Sequence, residues 1–338
     1  MTTTTTTTTT PAIAPATLDL RGTWTALITP FRDGQLDEPA LRNLVETQVA
    51  GGVTGVVACG STGETPTLTL DEFTRTVSIV IAQAAGRIPV MVGTGSNDTA
   101  TVVQRTQLAR ELGAAAALVV MPWYNKPTQE GLFQHIRHIA TQTDLPIVLY
   151  NVPGRTGVDL QARTVARLAA IPAVIGIKEA SGSVDRVSEI VSLTAGVDPA
   201  FVVLSGDDSL TLPMMSVGAQ GVISVVSNIV PGAVSALTRA ALRGDFLAAR
   251  TLHLELFDLC NAMFVETNPV PVKAAAELLG LTTAEVRLPL VGLAPESQAH
   301  VFQALMACRF TAQRIVFGEE SVHMRAGLGE MDLMEVAA

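Results

Sequence analysis

Between Gly22 and about Gly244, short apolar runs rich in β-branched residues alternate with longer amphipathic stretches. The runs Thr25–Ile28, Gly55–Cys59, Val90–Gly93, Ala117–Met121, Ile147–Tyr150, Ile175–Lys178, Val202–Ser205 and Val222–Val225 have the length and composition of strands buried on both faces. Each precedes a helix-like segment, among them Glu38–Ala50, Asp71–Ala85 and Thr99–Leu112, with Asp71 and Asp98 placed as N-cap or first-turn acids. Eight such units in series predict an α/β fold, a (β/α)8 TIM barrel. The alternative, a doubly wound sheet, lacks the Gly-rich phosphate loop after its first strand.

After the eighth unit the pattern changes to helices alone, predicted at Phe246–Phe264, Val272–Leu279 and Glu296–Ala307. The run Asn268-Pro269-Val270-Pro271 separates the first two, because a residue before proline is pushed toward extended backbone. The expected organisation is a disordered Thr-rich tail over 1–21, a catalytic barrel over 22–244, a small all-helical C-terminal domain over 245–310 and an acidic, weakly patterned tail over 311–338. Met1 is followed by nine threonines with no apolar stretch behind them, which excludes a secretory signal. A transit peptide would carry arginines, and none precedes Arg21.

Composition narrows the function classes. The mean hydropathy is +0.38, but Gly, Pro, Asn or charge interrupts every apolar run before it reaches the roughly 18 residues of a membrane span. A net charge of −9 with scattered arginines argues against nucleic-acid binding. The three cysteines, Cys59, Cys260 and Cys308, form no paired motif and fit free thiols of a cytoplasmic protein, with Cys59 as core filler.

Of the 22 Lys and Arg side chains only Lys126, Lys178 and Lys273 are lysine. Lys178 ends the strand-like run Val174-Ile175-Gly176-Ile177, where it either reaches solvent or remains buried. Burial disfavours an ammonium and leaves an amine able to attack carbonyls, so Schiff-base chemistry is the leading idea. In a barrel the C-terminal strand ends face the site. Those ends carry Gly60-Ser61-Thr62-Gly63-Glu64, Trp123-Tyr124-Asn125-Lys126, Tyr150 through Arg155, Lys178, Ser205-Gly206-Asp207-Asp208 and Ile223-Ser224. An amine for a carbonyl, hydroxyls and backbone N–H groups for a carboxylate and two phenols for protons suit a small keto acid.

Plainer readings stand beside these. Tyr124 and Tyr150 could be core residues, Arg155 could pair with a surface acid, and Gly63 could serve only a tight turn. Asp207-Asp208 invites a metal, but the five histidines lie elsewhere and an N-cap pair is the better account, so no metal and no cofactor are expected.

From Gly22 to about Arg309 the chain resembles the dihydrodipicolinate synthase family of pyruvate-dependent class I aldolase-type barrels. The matching segments include Thr29-Pro30-Phe31, Gly60–Glu64, Tyr124–Gly131, Tyr150–Gly157, Gly176–Ala180 and Asn268–Lys273. The resemblance implies that Lys178 forms the Schiff base with pyruvate and that Tyr150 relays protons through Ser61 to Tyr124, supplied by an adjacent subunit of a homotetramer. It implies that Ser61 and Thr62 hold the pyruvate carboxylate, that Arg155 binds L-aspartate 4-semialdehyde, and that Gly206 and the Ile223 carbonyl line the pocket. The family usually has Thr-Thr where this chain has Ser61-Thr62, a pair familiar from N-acetylneuraminate lyases. Serine keeps the hydroxyl the relay needs.

Two reactions use the same imine: condensation with the semialdehyde, and aldol cleavage of a sugar keto acid. Arg155 favours condensation, since a carboxylated second substrate calls for a guanidinium and a polyol for neutral hydrogen-bonders. A barrel-derived scaffold without chemistry would have lost the lysine or the phenols. Lysine-inhibited members bind lysine through a tyrosine, two histidines, an acid and an asparagine. Here those positions carry Trp123, Leu70, Phe73, Thr101 and Asn97, which predicts insensitivity to lysine.

Overall fold

The computed structural model describes residues 18–197 and 201–312. Eight strands form a closed parallel barrel: β1 Gly22–Ala26, β2 Gly55–Ala58, β3 Val90–Gly93, β4 Ala116–Val120, β5 Ile147–Asn151, β6 Val174–Glu179, β7 Val202–Ser205 and β8 Gly221–Ser224. Each strand pairs with the next in sequence, and Gly22 of β1 meets Gly221 of β8 to close the ring. Helices follow the strands, so the (β/α)8 expectation is met.

Strand alternation divides the core into two layers. Trp24, Val57, Met91, Leu118, Val148, Leu204 and Ile223 fill the barrel. Val56, Val92, Val119, Leu149, Ile177 and Val203 face outward under the helices. Both faces are therefore apolar, which is why these strands read as continuous hydrophobic runs. The barrel floor is shut by Trp24, whose ring covers β2 so closely that a Cβ on Gly55 would lie 2.5 Å from it. The indole Nε1–H donates to the Leu20 carbonyl at 2.9 Å, and Leu20 is buried in the same interior. Leu18 and Leu20, expected as part of a tail, thus pack against the barrel interior, while Asp19 and Arg21 are exposed. β1 begins earlier than the apolar run suggested, since its pairing to β8 starts at Gly22 and ends before Leu27.

The helix signals are confirmed in detail. Helix Thr99–Glu111 is capped by Asp98, and Leu70–Ala84 by a Thr69–Glu72 capping box with Asp71 in its first turn. An unforeseen two-stranded hairpin, Phe31–Arg32 with Gln35–Leu36, turns at Asp33-Gly34, both with positive φ.

The C-terminal helices are Phe246–Ala262, Val270–Leu278 and Pro295–Ala307. The middle one starts two residues before its expected position, because proline is tolerated in a first turn, where its missing N–H has no helical partner to lose. These helices share one buried cluster with Ile28, Leu44, Val222 and Val234 of the barrel portion, so they extend its core rather than enclosing a separate one. The threonine tract, His323 and the acidic end lie outside the described residues.

Candidate active site

Lys178 lies on β6 with Tyr150 of β5 and Leu204 of β7 as register partners. Its inward direction follows from strand alternation, with Ile177 facing the outer layer. The side chain is 5% exposed, and Nζ stands 4.3 Å from the centroid of the Tyr150 ring. The solvent-reaching alternative does not hold. After β7, a Cβ on Gly206 would lie 3.1 Å from Lys178 Cε and 2.6 Å from Ala180 Cβ, so the glycine leaves the space the lysine occupies. Ile223 of β8 is fully buried in the same interior.

The loop after β2 turns sharply, with Cys59 and Glu64 in the left-handed region. Its turn bonds run from Gly63 N–H to the Gly60 carbonyl and from Glu64 N–H to the Ser61 carbonyl, and do not use the N–H groups of Ser61 and Thr62. Ser61 lines two cavities. One of about 210 Å³ also touches Tyr150, Trp123, Arg105 and Ser96; the other, of about 310 Å³, includes Arg155, Asn268, Trp123 and Leu290. Ser61 therefore joins the Tyr150 side of the rim to the Arg155 side.

Arg155 forms no ion pair among the described residues; its Nη2 donates to the Asn268 carbonyl at 3.0 Å. Asn268 also donates from Nδ2 to Thr62 Oγ1 at 2.9 Å. One buried asparagine thus fixes both the hydroxyl loop and the guanidinium, a role that its place in a proline-rich break does not signal.

Tyr124 behaves differently. With φ 73° it is 88% exposed and lines neither cavity, and Lys126, two residues on, also has a left-handed backbone. The chain does not bring two phenols onto one rim: Tyr150 is inside, Tyr124 outside.

Asp207 stands at the N-cap of the short turn Asp208–Leu210, while buried Asp208 accepts the N–H groups of Val225 and Val226 at 2.8 and 3.0 Å. Asp208 anchors the end of β8, and burial pushes its carboxyl above the ordinary range. The described residues contain no cluster of metal-binding groups. Burial pushes the Cys59 thiol up to about 12, the environment of core filler rather than a nucleophile.

The most deeply buried lysine is Lys273, fully buried in helix Val270–Leu278. Its Nζ lies 2.5 Å from Glu64 Oε1, donates to the Glu285 carbonyl at 2.6 Å and stands 4.3 Å from the Phe31 ring centroid. Burial lowers its pKa, and Glu64 opposes the shift. Glu64 Oε2 accepts the Arg287 N–H at 3.0 Å, so the far end of the hydroxyl loop is fastened to the C-terminal portion. The scarcity of lysine and its place in an otherwise apolar helical segment were the available signals.

The Dihydrodipicolinate synthetase family model matches residues 19–308. The chain belongs to that family. Over 293 residues it is 57% identical to the 4-hydroxy-tetrahydrodipicolinate synthase of Thermomicrobium roseum, covering 87% of this chain and 96% of the relative. The crystal structure of dihydrodipicolinate synthase from Aquifex aeolicus superposes with a TM-score of 0.84 at 46% identity, covering 86% and 99% of the two chains. The chloride-inhibited dihydrodipicolinate synthase from Acinetobacter baumannii, complexed with pyruvate, gives a TM-score of 0.84 at 43% identity, covering 86% and 100%. The synthetase family match spans the barrel and the C-terminal helices together, in keeping with their shared core. No helix among the described residues is long and apolar enough to cross a membrane.

Proposed function

We propose that the chain is a 4-hydroxy-tetrahydrodipicolinate synthase that condenses pyruvate with L-aspartate 4-semialdehyde, on the route to diaminopimelate and lysine. The Lys178 amine adds to the pyruvate ketone and expels water, giving an imine. Loss of a methyl proton gives the enamine, whose carbon bonds to the aldehyde carbon of the semialdehyde. The amine of that second substrate then displaces Lys178 and closes the ring.

Position supports the following roles. Tyr150, beside Lys178, moves protons, with Ser61 as the next hydroxyl along the rim. Thr62 and the loop N–H groups hold the pyruvate carboxylate. Gly206 and the Ile223 carbonyl complete the wall around the imine. Arg155 takes the carboxylate of the semialdehyde, and Tyr124 serves the site of a neighbouring subunit in a homotetramer. A reducing cytoplasm suits the three buried free thiols.

The observation that carries the reading is Arg155, a guanidinium without an acid partner among the described residues, in a cavity it shares with Ser61. A carboxylated second substrate supplies the missing anion. Ser61 favours the rival, cleavage of N-acetylneuraminate, so both activities are to be assayed side by side. Condensation should dominate, and Arg155→Ala should raise the half-saturating semialdehyde concentration while sparing imine formation, a modest loss because the guanidinium is exposed. Turnover of N-acetylneuraminate alone would overturn the assignment.

A further inference from the structure

One residue beyond Lys178 and Tyr150, the same two strands carry a second facing pair. Asn151 and Glu179 are register partners, both fully buried on the opposite side of the sheet from the amine and the phenol. Asn151 Nδ2 donates to Glu179 Oε2 at 3.1 Å and Oε1 at 3.3 Å. The same nitrogen donates to Asp159 Oδ1 at 2.9 Å, and the Leu160 N–H donates to Asn151 Oδ1 at 3.0 Å, which fixes the orientation of the amide. Glu179 Oε1 also accepts the Ser181 N–H at 2.7 Å. Arg186 closes the outer end through two bonds to Asp159, at 2.9 and 3.1 Å, and one to the Leu160 carbonyl.

The main chain adds two ties. The Ala180 N–H donates to the Asn151 carbonyl at 2.9 Å, and the Gly206 N–H to the Glu179 carbonyl at 2.7 Å. Glu179 thus sits where three elements meet: β5 with Tyr150, β6 with Lys178, and the Gly206 turn that clears space for the lysine. A buried carboxyl costs solvation, and leucine would fill the same volume more cheaply. The acid and the amide offer directional bonds that an apolar pair lacks.

We propose that Glu179 and Asn151 are positioning residues for the reaction, a buried cross-strand clamp that sets the spacing of Lys178 and Tyr150 from behind. This rests on Lys178 being the imine-forming amine. Alternation makes the mechanism direct: a shift of the strand ends on the outer face displaces the adjacent inner side chains with it.

The test is the single-turnover rate of pyruvate imine formation, trapped with borohydride, in wild type, Glu179→Leu, Asn151→Ser and Glu179→Gln. Glutamine keeps one acceptor oxygen within reach of both donors, whereas leucine keeps only volume. Trapping in Glu179→Leu should slow on the order of 10²-fold, as an approximately 1 Å misplacement does, while the half-saturating pyruvate concentration stays near that of wild type. Glu179→Gln should recover most of the rate. Should the leucine variant not fold, Asn151→Ser carries the same expectation. Folded variants that trap at the wild-type rate, or glutamine and leucine variants that slow equally, would overturn the clamp and leave Lys178 in place. A wild-type adduct on another residue would overturn both the clamp and the Lys178 assignment.

Discussion

Tyr150 and Lys178 are register partners on adjacent strands, and the lysine Nζ rests 4.3 Å from the centroid of the tyrosine ring. Parallel pairing brings them together across 28 residues of sequence, and both strands are buried on each face, so neither side chain can leave without disturbing the barrel core. Gly206 keeps the remaining side open. The amine and its nearest phenol are thereby preorganised before any substrate arrives, which lowers the cost of reaching the reactive geometry.

Tyr124 lies outside this pair and is 88% exposed on a left-handed turn. The proposed homotetramer gives such a side chain a receiving site on a neighbouring subunit. Mixing Tyr124→Phe protomers with Lys178→Ala protomers should restore part of the activity, because one site in a hybrid interface regains every group. Proven subunit exchange without recovery would remove Tyr124 from catalysis across the boundary.

The Lys273–Glu64 pair is fully dehydrated and holds the hydroxyl loop against the C-terminal helix. Lys273→Met leaves Glu64 buried without its cation and should cost about 3–5 kcal/mol of stability. Adding Glu64→Leu removes the stranded charge and should return much of that loss. Urea unfolding of the single and double variants checks both steps; a single variant losing less than about 1 kcal/mol would show the pair to be expendable.

Burial pushes His135 down to about 4, with its Nδ1 2.9 Å from the Thr99 hydroxyl and Nε2 without a protein partner. In the unfolded chain the ring protonates near pH 6.5. The folded protein therefore binds fewer protons below that point: the contribution is present above pH 6.5 and is lost as pH falls through about 4. The full span is on the order of 3 kcal/mol. The urea midpoint should fall more between about pH 7.5 and about pH 4.5 in wild type than in His135→Gln. Equal slopes would exclude His135 as the source.

L-lysine at millimolar concentration should not inhibit. At the positions that bind it in sensitive relatives, Phe73 is buried in the core and Leu70 is apolar. The Thr101 hydroxyl and N–H are engaged by Asp98, which is itself committed as a helix cap. None of Leu70, Phe73 and Thr101 offers a ligand ammonium a carboxylate, and a zwitterion is left undersatisfied. Dose-dependent inhibition, with calorimetric binding at the same loops, would contradict this.

The barrel was legible because β-branched runs and helix caps are local, and the strand ends named most of the rim in advance. What escaped depended on distant partners or on rare backbone. Glu64 and Lys273 are 209 residues apart, and no periodicity links them. Tyr124 is exposed on a positive φ at a non-glycine residue, which side-chain pattern does not encode. The end of β1 was misplaced because Leu27 and Ile28 stay apolar and buried after strand pairing stops. Asn268 looked like part of a proline break, yet its side chain and carbonyl hold Thr62 and Arg155 in place.

The central claim is that Lys178 carries the substrate as an imine. Borohydride added with pyruvate should inactivate the protein by reducing that imine to a stable secondary amine, and peptide mapping should place the adduct on Lys178, with Lys178→Ala unlabelled. An adduct on Lys126 or Lys273, or full activity after reduction, would contradict the account.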